Sequence, residues 1–536
     1  MLSPRGDTEG GGASPALERR PLKRGSQSGS GTSRVPGMGR GSRRGGSGPG
    51  RRAGGGGSAF SPAHAYGSDL LLWLRDNQGV TLSTVGEWKD QSPSGLLFAQ
   101  ATQAARPAAS GGGADFDGTN DFLAAGYGVA IAPGAVTVGT DAKLDALPGV
   151  ASGMQTHLFP QSISGGGLWC GEGRLNIVGY QPRHFTAQHG NSGLGVGVAD
   201  ALTTDRERTI FTHDGITATA NPAGYQFFLQ GAAKTVVASG ATGYSGGTPT
   251  FDVAAIGALA RPTPLNLFNG KVYQVVVYSS VLSGAGIAAF DALLASGTAT
   301  YADYAALGTV AWCLLPGVGQ SGDVSAWADQ GPAGNNMSQA TLANQPYFDL
   351  DDSVGDLRPS VIADGTADYM ATVGDVAAFA GATKMTWSCW FRKPATSCTI
   401  FTQADLVLAD IGWLATTGIT PDRAAFYVPT SGADLGTSAI GNFSYADTWV
   451  HVCWVFDGAG AANADRLKLY RNGAPVSLAF SGTIPAALRD SAAPTSLFGY
   501  AGGSNFAGRI DDALIIKRAL TPAQVMQLAT YYTRSG

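Results

Sequence analysis

Charge is what this chain has least of. Asp, Glu, Lys and Arg make up 14% of its 536 residues, against roughly 25% in an average globular protein. Cysteine is scarce and odd in number: five residues cannot all pair, so a closed disulfide framework is excluded. Cys389 and Cys453 fall in apolar strand patterns and read as buried free thiols. A Cys389–Cys398 bridge across a hairpin stays open on sequence alone, and no two cysteines have metal-site spacing. No window approaches the roughly 18 apolar residues of a membrane helix. The N-terminus is basic but lacks the apolar stretch of about 7–15 residues that a signal peptide needs. Neither a membrane partner nor a secretory leader is expected.

Catalytic patterns are missing too. A retaining glycosidase needs two carboxylates about 5–5.5 Å apart, which alternate acids on one strand can supply, and no Glu-x-Asp-x-Glu run exists. Asp511-Asp512 are adjacent and so face opposite ways in a strand. Glu87 and Asp90 have the wrong spacing, and Glu172 has no counterpart in the second half. His213 and His451 sit in strand patterns and read as core hydrogen-bonding groups. There is no His-Glu-x-x-His motif, and no Gly-x-Ser-x-Gly elbow is paired with a placed His and acid. The chain is not expected to be an enzyme.

What the chain has instead is glycine, 78 residues of it, and a sentence written twice. Trp88-Lys89-Asp90-Gln91 returns as Trp327-Ala328-Asp329-Gln330, 239 residues on. Gln100-Ala101-Thr102 returns as Gln339-Ala340-Thr341 at the same offset. Asp117-Gly118-Thr119-Asn120-Asp121 returns as Asp364-Gly365-Thr366-Ala367-Asp368, and Phe268-Asn269-Gly270 as Phe506-Ala507-Gly508. A period this long marks a duplicated domain, since solenoid units run roughly 20–50 residues. The expected organisation is a tail over 1–58, one domain over 60–298 and a second over 305–534. The tail is Gly-, Ser- and Arg-rich, with eleven basic and three acidic residues, and reads as disordered. Its charge suits an acidic or virion partner. No aromatic residue interleaves the arginines, so nucleic acid is not expected. A plain linker, or a translation start at Met38, are the competing readings.

Within the repeats the strand signals are regular. Met385, Trp387, Cys389 and Phe391 alternate with Thr386, Ser388, Trp390 and Arg392, which is period two with one core face. Trp449 to Phe456 is apolar on both faces. Asn472-Gly473 marks a hairpin, because a type I′ turn needs φ > 0 at both central positions. Thr521 and Pro522 open a terminal helix as cap and first residue. The fold class is all-β: two tandem antiparallel β-sandwiches after the tail.

On these residues the second repeat resembles the laminin-G-like, concanavalin A-like lectin/glucanase jelly rolls. The resemblance rests on Trp327-x-Asp329, Asp364-Gly365 with Asp368-Tyr369, and the strand around Trp387 and Trp390. It continues through Trp449-Val450-His451-Val452, Leu469 to Gly473 and Gly508 to Asp512, across about 310–530. The first repeat resembles the family more weakly, having Tyr273-Gln274 in place of Asp511-Asp512. The resemblance implies two curved sheets packed face to face and a glycan-binding or adhesive role. A phage virion component (head or tail fibre) or a bacterial surface protein is the expected setting, with a homo-oligomer as a candidate arrangement. The alternatives are a non-binding decoration module and a glycoside hydrolase, because the fold hosts all three. Trp169, Tyr180 and Phe185, with their counterparts Trp413, Phe426 and Tyr427, are the expected ligand contacts, against the alternative that they are core. No cofactor is required. Calcium is a candidate ion, for which the oxygen-rich turns of Asp117, Asn120 and Asp121, or Asp364 and Asp368, offer ligands, although those acids equally form turns.

Overall fold

The structure is a computed structural model. It describes residues 60–531 apart from 76–77, 127–134, 147–153, 162–169, 174–183, 186, 189–194, 199, 201–202, 215–221, 240–252, 259–266, 351–357, 393–397, 405–410, 418–423, 429–434, 439–447 and 500–504. Residues 59–536 form one compact unit. It is all-β, as the alternation of apolar positions requires, and it holds two antiparallel sandwiches.

The larger sheets of the two sandwiches repeat one another strand for strand. In the first, the order runs Ala232–Lys234, Tyr225–Leu229, Arg206–His213, Val136–Leu144, Asn269–Tyr278, Gly113–Asp117 and Ala108–Ser110. In the second, Ala474–Val476, Leu467–Arg471, Val450–Asp457, Lys384–Arg392, Ala507–Ile516, Ser360–Asp364 and Tyr347–Asp349 follow the same path. The alternation in Lys384–Arg392 is real: Met385, Trp387, Cys389 and Phe391 all enter the core between the sheets. A second cluster around Trp88, Phe98, Phe116, Phe211 and Trp312 fills the first sandwich. The Asn472-Gly473 hairpin has φ of 49° and 79°, the left-handed pair that a type I′ turn demands. Gln230-Gly231 repeats it at 51° and 76°.

A helix covers the outer face of each large sheet. Ser283 caps Gly284–Ser296 by accepting from Gly286 N–H at 3.1 Å, and left-handed Gly297 ends it. Thr521 and Gln524 bond reciprocally at the start of Pro522–Tyr531, the capping arrangement that the Thr-Pro pair predicts.

The opening strands do not stay with their own repeats. Leu70–Leu74, the first strand of repeat 1, pairs with Ala507–Ile516, the last strand of repeat 2. Val310–Leu314, the first strand of repeat 2, pairs with Asn269–Tyr278, the last strand of repeat 1. Leu72 and Leu74 accordingly sit in the core of the second sandwich, and Trp312 and Leu314 in that of the first. Strand pairing therefore runs across the gap between 298 and 305.

Candidate functional site

The Trp-x-Asp-Gln motif shared by the repeats is a strand clamp. Asp329 Oδ1 accepts from Trp73 N–H at 2.8 Å, and Asp90 Oδ1 accepts from Cys313 N–H at 2.6 Å. The indole N–H of Trp327 donates to Arg75 O at 2.9 Å, and that of Trp88 to Leu315 O at 3.2 Å. Gln330 N–H reaches Trp73 O at 2.8 Å, and Gln91 N–H reaches Cys313 O at 2.9 Å. Each motif thus grips the opening strand of the other repeat, at positions 240 residues apart. Between the clamps, segments 80–88 and 320–327 pair antiparallel with one another. Near the midpoint Thr84 Oγ1 donates to Asp323 Oδ2, and these are equivalent positions at the 239-residue offset. Arg106 adds two bonds to the Asp323 carboxylate, at 2.9 and 3.1 Å.

The oxygen-rich turns are built as turns. Asp117 Oδ1 accepts from Thr119 N–H at 2.7 Å, and Asp121 Oδ2 accepts from Asp117 N–H at 3.1 Å. In repeat 2, Asp364 Oδ1 accepts from Thr366 N–H at 2.7 Å and Asp368 Oδ2 from Asp364 N–H at 2.8 Å. Among the described residues no group of three or more His, Cys, Asp or Glu side chains is placed to hold a metal ion.

Burial pushes Asp121 up to about 6 and Asp368 up to about 7, with Asp364 and Asp323 adding repulsion at Asp368. A carboxyl whose folded pKa exceeds its unfolded value binds more protons when folded. Its contribution to stability therefore falls as pH rises from about 4 towards 7. Asp368→Asn keeps an acceptor for Asp364 N–H and never ionises. It is expected to raise the melting temperature at pH 8 by about 2–4 °C, the shift that roughly 1 kcal/mol makes in a domain of this size. At pH 4 it is expected to leave the melting temperature unchanged. Calorimetry at the two pH values checks this, and an equal shift at both would refute the assignment.

The expected aromatic contacts fare unevenly. Trp413 and Phe426 are fully buried. They stack at 6.3 Å with 6° between ring planes, and pack against Trp387 at 4.9 and 4.6 Å. This corrects the surface reading for both: alternation along Ala424–Tyr427 turns Ala424 and Phe426 inward, so neither ring offers a face to a sugar. Tyr427 is half-buried, and burial raises its pKa. Trp169 and Tyr180 lie outside the described residues. Phe185 belongs to the short strand His184–Phe185, and its side chain is likewise outside the description. His451 is a core group. Its Nε2 lies 2.8 Å from Ser388 Oγ, and burial pushes its pKa down to about 3, so it stays neutral. The thiols of Cys313, Cys389 and Cys453 are free and buried.

The described surface does hold one groove that sequence reasoning missed. It has a volume of about 360 Å³ and is lined by Tyr225, Gln226, Phe227, Phe228, Lys234 and Val236, with Ala223 and Ala233. It lies where the chain leaves the large sheet of the first sandwich after Ala232–Lys234 and enters the small sheet at Val236–Ser239. Tyr225 packs against His213 at 4.6 Å. At the rim, Lys234 Nζ meets Asp200 Oδ2 at 2.7 Å. Gln226 is exposed and Phe228 half-buried, so an amide and an aromatic ring are both within a ligand's reach. In the second sandwich the same corner is tied shut. The helical turn Asn463–Arg466 replaces Pro222–Gly224, and Arg466 Nη1 donates to Ile484 O at 2.6 Å. Asn463 bonds both Gly482 O and Ile484 N–H at 2.9 Å. The only sequence signal for the groove was that one turn differs between two otherwise parallel repeats.

The fold defines a class, the jelly-roll β-sandwich. A family model described as the concanavalin A-like lectin/glucanases superfamily matches residues 364–526. No curated protein matches the chain. Among solved structures it is similar to a native heptameric SAP-like pentraxin from Limulus polyphemus, at 18% identity over 28% of this chain and 72% of that one, with a TM-score of 0.24. It is similar to the binding domain of Paraclostridial Mosquitocidal Protein 1 at 14% identity over 38% of this chain and 49% of that one, TM-score 0.30. Domain 4 of a GH43 extracellular arabinanase from Geobacillus stearothermophilus, solved with arabinotriose, matches at 18% identity over 40% of this chain and 90% of that one, TM-score 0.24. Among the described residues no helix is long and apolar enough to cross a membrane.

Proposed function

We propose that this chain is a glycan-binding, adhesive accessory protein of a phage virion or bacterial surface, acting without catalysis. The observation that carries the binding reading is the groove of the first sandwich. Sugars are held by an aromatic face together with planar hydrogen-bonding groups, and sites for small molecules combine apolar walls with a few placed polar groups. Phe228 provides the wall, and Gln226, Lys234 and Asp200 provide donors and acceptors. The lysine is neutralised by its aspartate, which favours a neutral sugar over an acidic one. The tail, with its net charge of +8, supplies an attachment to an acidic virion partner. Such a protein is detectable by mass spectrometry in purified particles.

The test is a glycan array probed with the full chain, once with calcium and once with chelator. Selective binding is expected. Phe228→Ala is expected to weaken it about tenfold, equivalent to ~1.4 kcal/mol, and Gln226→Ala by a smaller factor. Binding that survives both substitutions would remove the groove from the reading. Loss under chelator would bring the loop acids in as calcium ligands. No binding in either buffer would leave a structural decoration module, a role for which the interlocked strands also provide support.

A further inference from the structure

We propose that this chain is a covalently linked twofold dimer. The surface built from residues 70–91 and 309–330 is an association interface in its own right, and each half is the partner of the other. The connection around 297–309 is not what holds them together.

The contacts obey the rule of an isologous interface, in which residue i meets j and j meets i. Trp73 with Asp329 is matched by Cys313 with Asp90. Arg75 with Trp327 is matched by Leu315 with Trp88. Gly79 O accepts from Ala328 N–H at 2.8 Å, and Gly319 O accepts from Lys89 N–H at 2.7 Å. Such paired contacts arise when two identical surfaces meet about a twofold axis.

The interface is also deep. Leu72 and Leu74 enter one core, and Trp312 and Leu314 the other. Segment 301–315 follows the same logic, since Tyr304 OH donates to Gln274 Oε1 at 3.0 Å and Tyr278 OH donates to Tyr304 O at 3.0 Å. Tyr304, on the approach to the second repeat, is thus buried under the helix of repeat 1. Arg518 pairs with Asp69 at the matching end of the second sandwich. Obligate dimers are held by such core-like interfaces, whereas domains joined only by a linker meet through smaller and more polar ones.

The experiment uses the full chain with a specific protease site inserted beside exposed Thr298. After cutting in the folded state, the halves are expected to elute together at the mass of the uncut chain and to part only in denaturant. A second variant adds Leu74→Cys and Ala513→Cys, which are register partners on adjacent strands and within reach of a disulfide. On oxidation the cut chain is expected to run as one band without reductant and as two with it. Halves that separate in native buffer would overturn the proposal. So would two bands without reductant, since the halves would then be held by something other than the exchanged strands.

Discussion

A fragment spanning residues 60–298, cut where the sequence repeat suggests, will not unfold cooperatively, whereas a fragment spanning 77–316 will. The first keeps Leu70–Leu74, a strand whose slot lies in the other sandwich, and lacks Val310–Leu314, the strand that fills its own. It exposes the inner edge of Val275 to Tyr278 and removes Trp312 and Leu314 from one cluster and Val310, Cys313 and Leu315 from the other. Burying a large apolar side chain contributes about 1.5–3 kcal/mol. Five such losses approach roughly 10 kcal/mol, against a total stability of about 5–15 kcal/mol for a whole domain. Trp88 also loses its acceptor at Leu315 O. The second fragment keeps every one of these contacts, and it gives up the pairing with 320–327 together with the bonds that Lys89, Gln103 and Arg106 make beyond residue 316. Urea titration followed by tryptophan fluorescence distinguishes the two. A sigmoidal transition for 60–298 with a slope proper to its size would show that the opening strand can return to its own repeat.

Why the exchange was hidden from the sequence is itself physical. Alternation tells which face of a strand is apolar, but it does not tell which neighbour takes its backbone groups. Asn269–Tyr278 and Ala507–Ile516 both end in β-branched or aliphatic runs, so either accepts Leu70–Leu74 equally well by pattern. Arg75 and Gln78 are bridged just past the opening strand, and Asp329 and Gln330 hold that strand from the other repeat. The motif was legible and its role was not: Trp-x-Asp-Gln stood out as a repeat, yet its partners are some 240 residues away. For the turns around Asp117 and Asp364 the sequence left calcium ligation and turn chemistry both open, and the bonds these acids make are local turn bonds. The reading of Trp413 and Phe426 as ligand contacts, made from their match to Trp169 and Phe185, is overturned for the opposite reason. Similar residues at corresponding positions mark a shared core as readily as a shared site, and burial cannot be read from correspondence. The groove of the first sandwich lies beside a turn of three residues, Pro222–Gly224, that no periodicity describes.

Asp329→Ala will destabilise the protein by about 3 kcal/mol or more. Its carboxylate collects three backbone donors: Trp73 N–H at 2.8 Å and Gly331 N–H at 2.8 Å on Oδ1, and Asn335 N–H at 2.9 Å on Oδ2. A hydrogen bond to a charged group contributes about 1.5–3 kcal/mol, and an orphaned buried donor costs about 1–3 kcal/mol. Gly331 and Asn335 sit in a half-buried turn and can recruit water, but Trp73 lies within the exchanged strand and is 5% exposed. The loss therefore falls on the hold over the opening strand as well as on the turn itself. Asp364→Ala is the control. Its carboxylate serves Thr366 and Ala367 N–H in an exposed turn, where water replaces it, and about 1 kcal/mol or less is expected. Urea midpoints at constant slope give both values. If the two aspartates cost the same, the clamp is only a turn, and the strand is held by apolar burial alone.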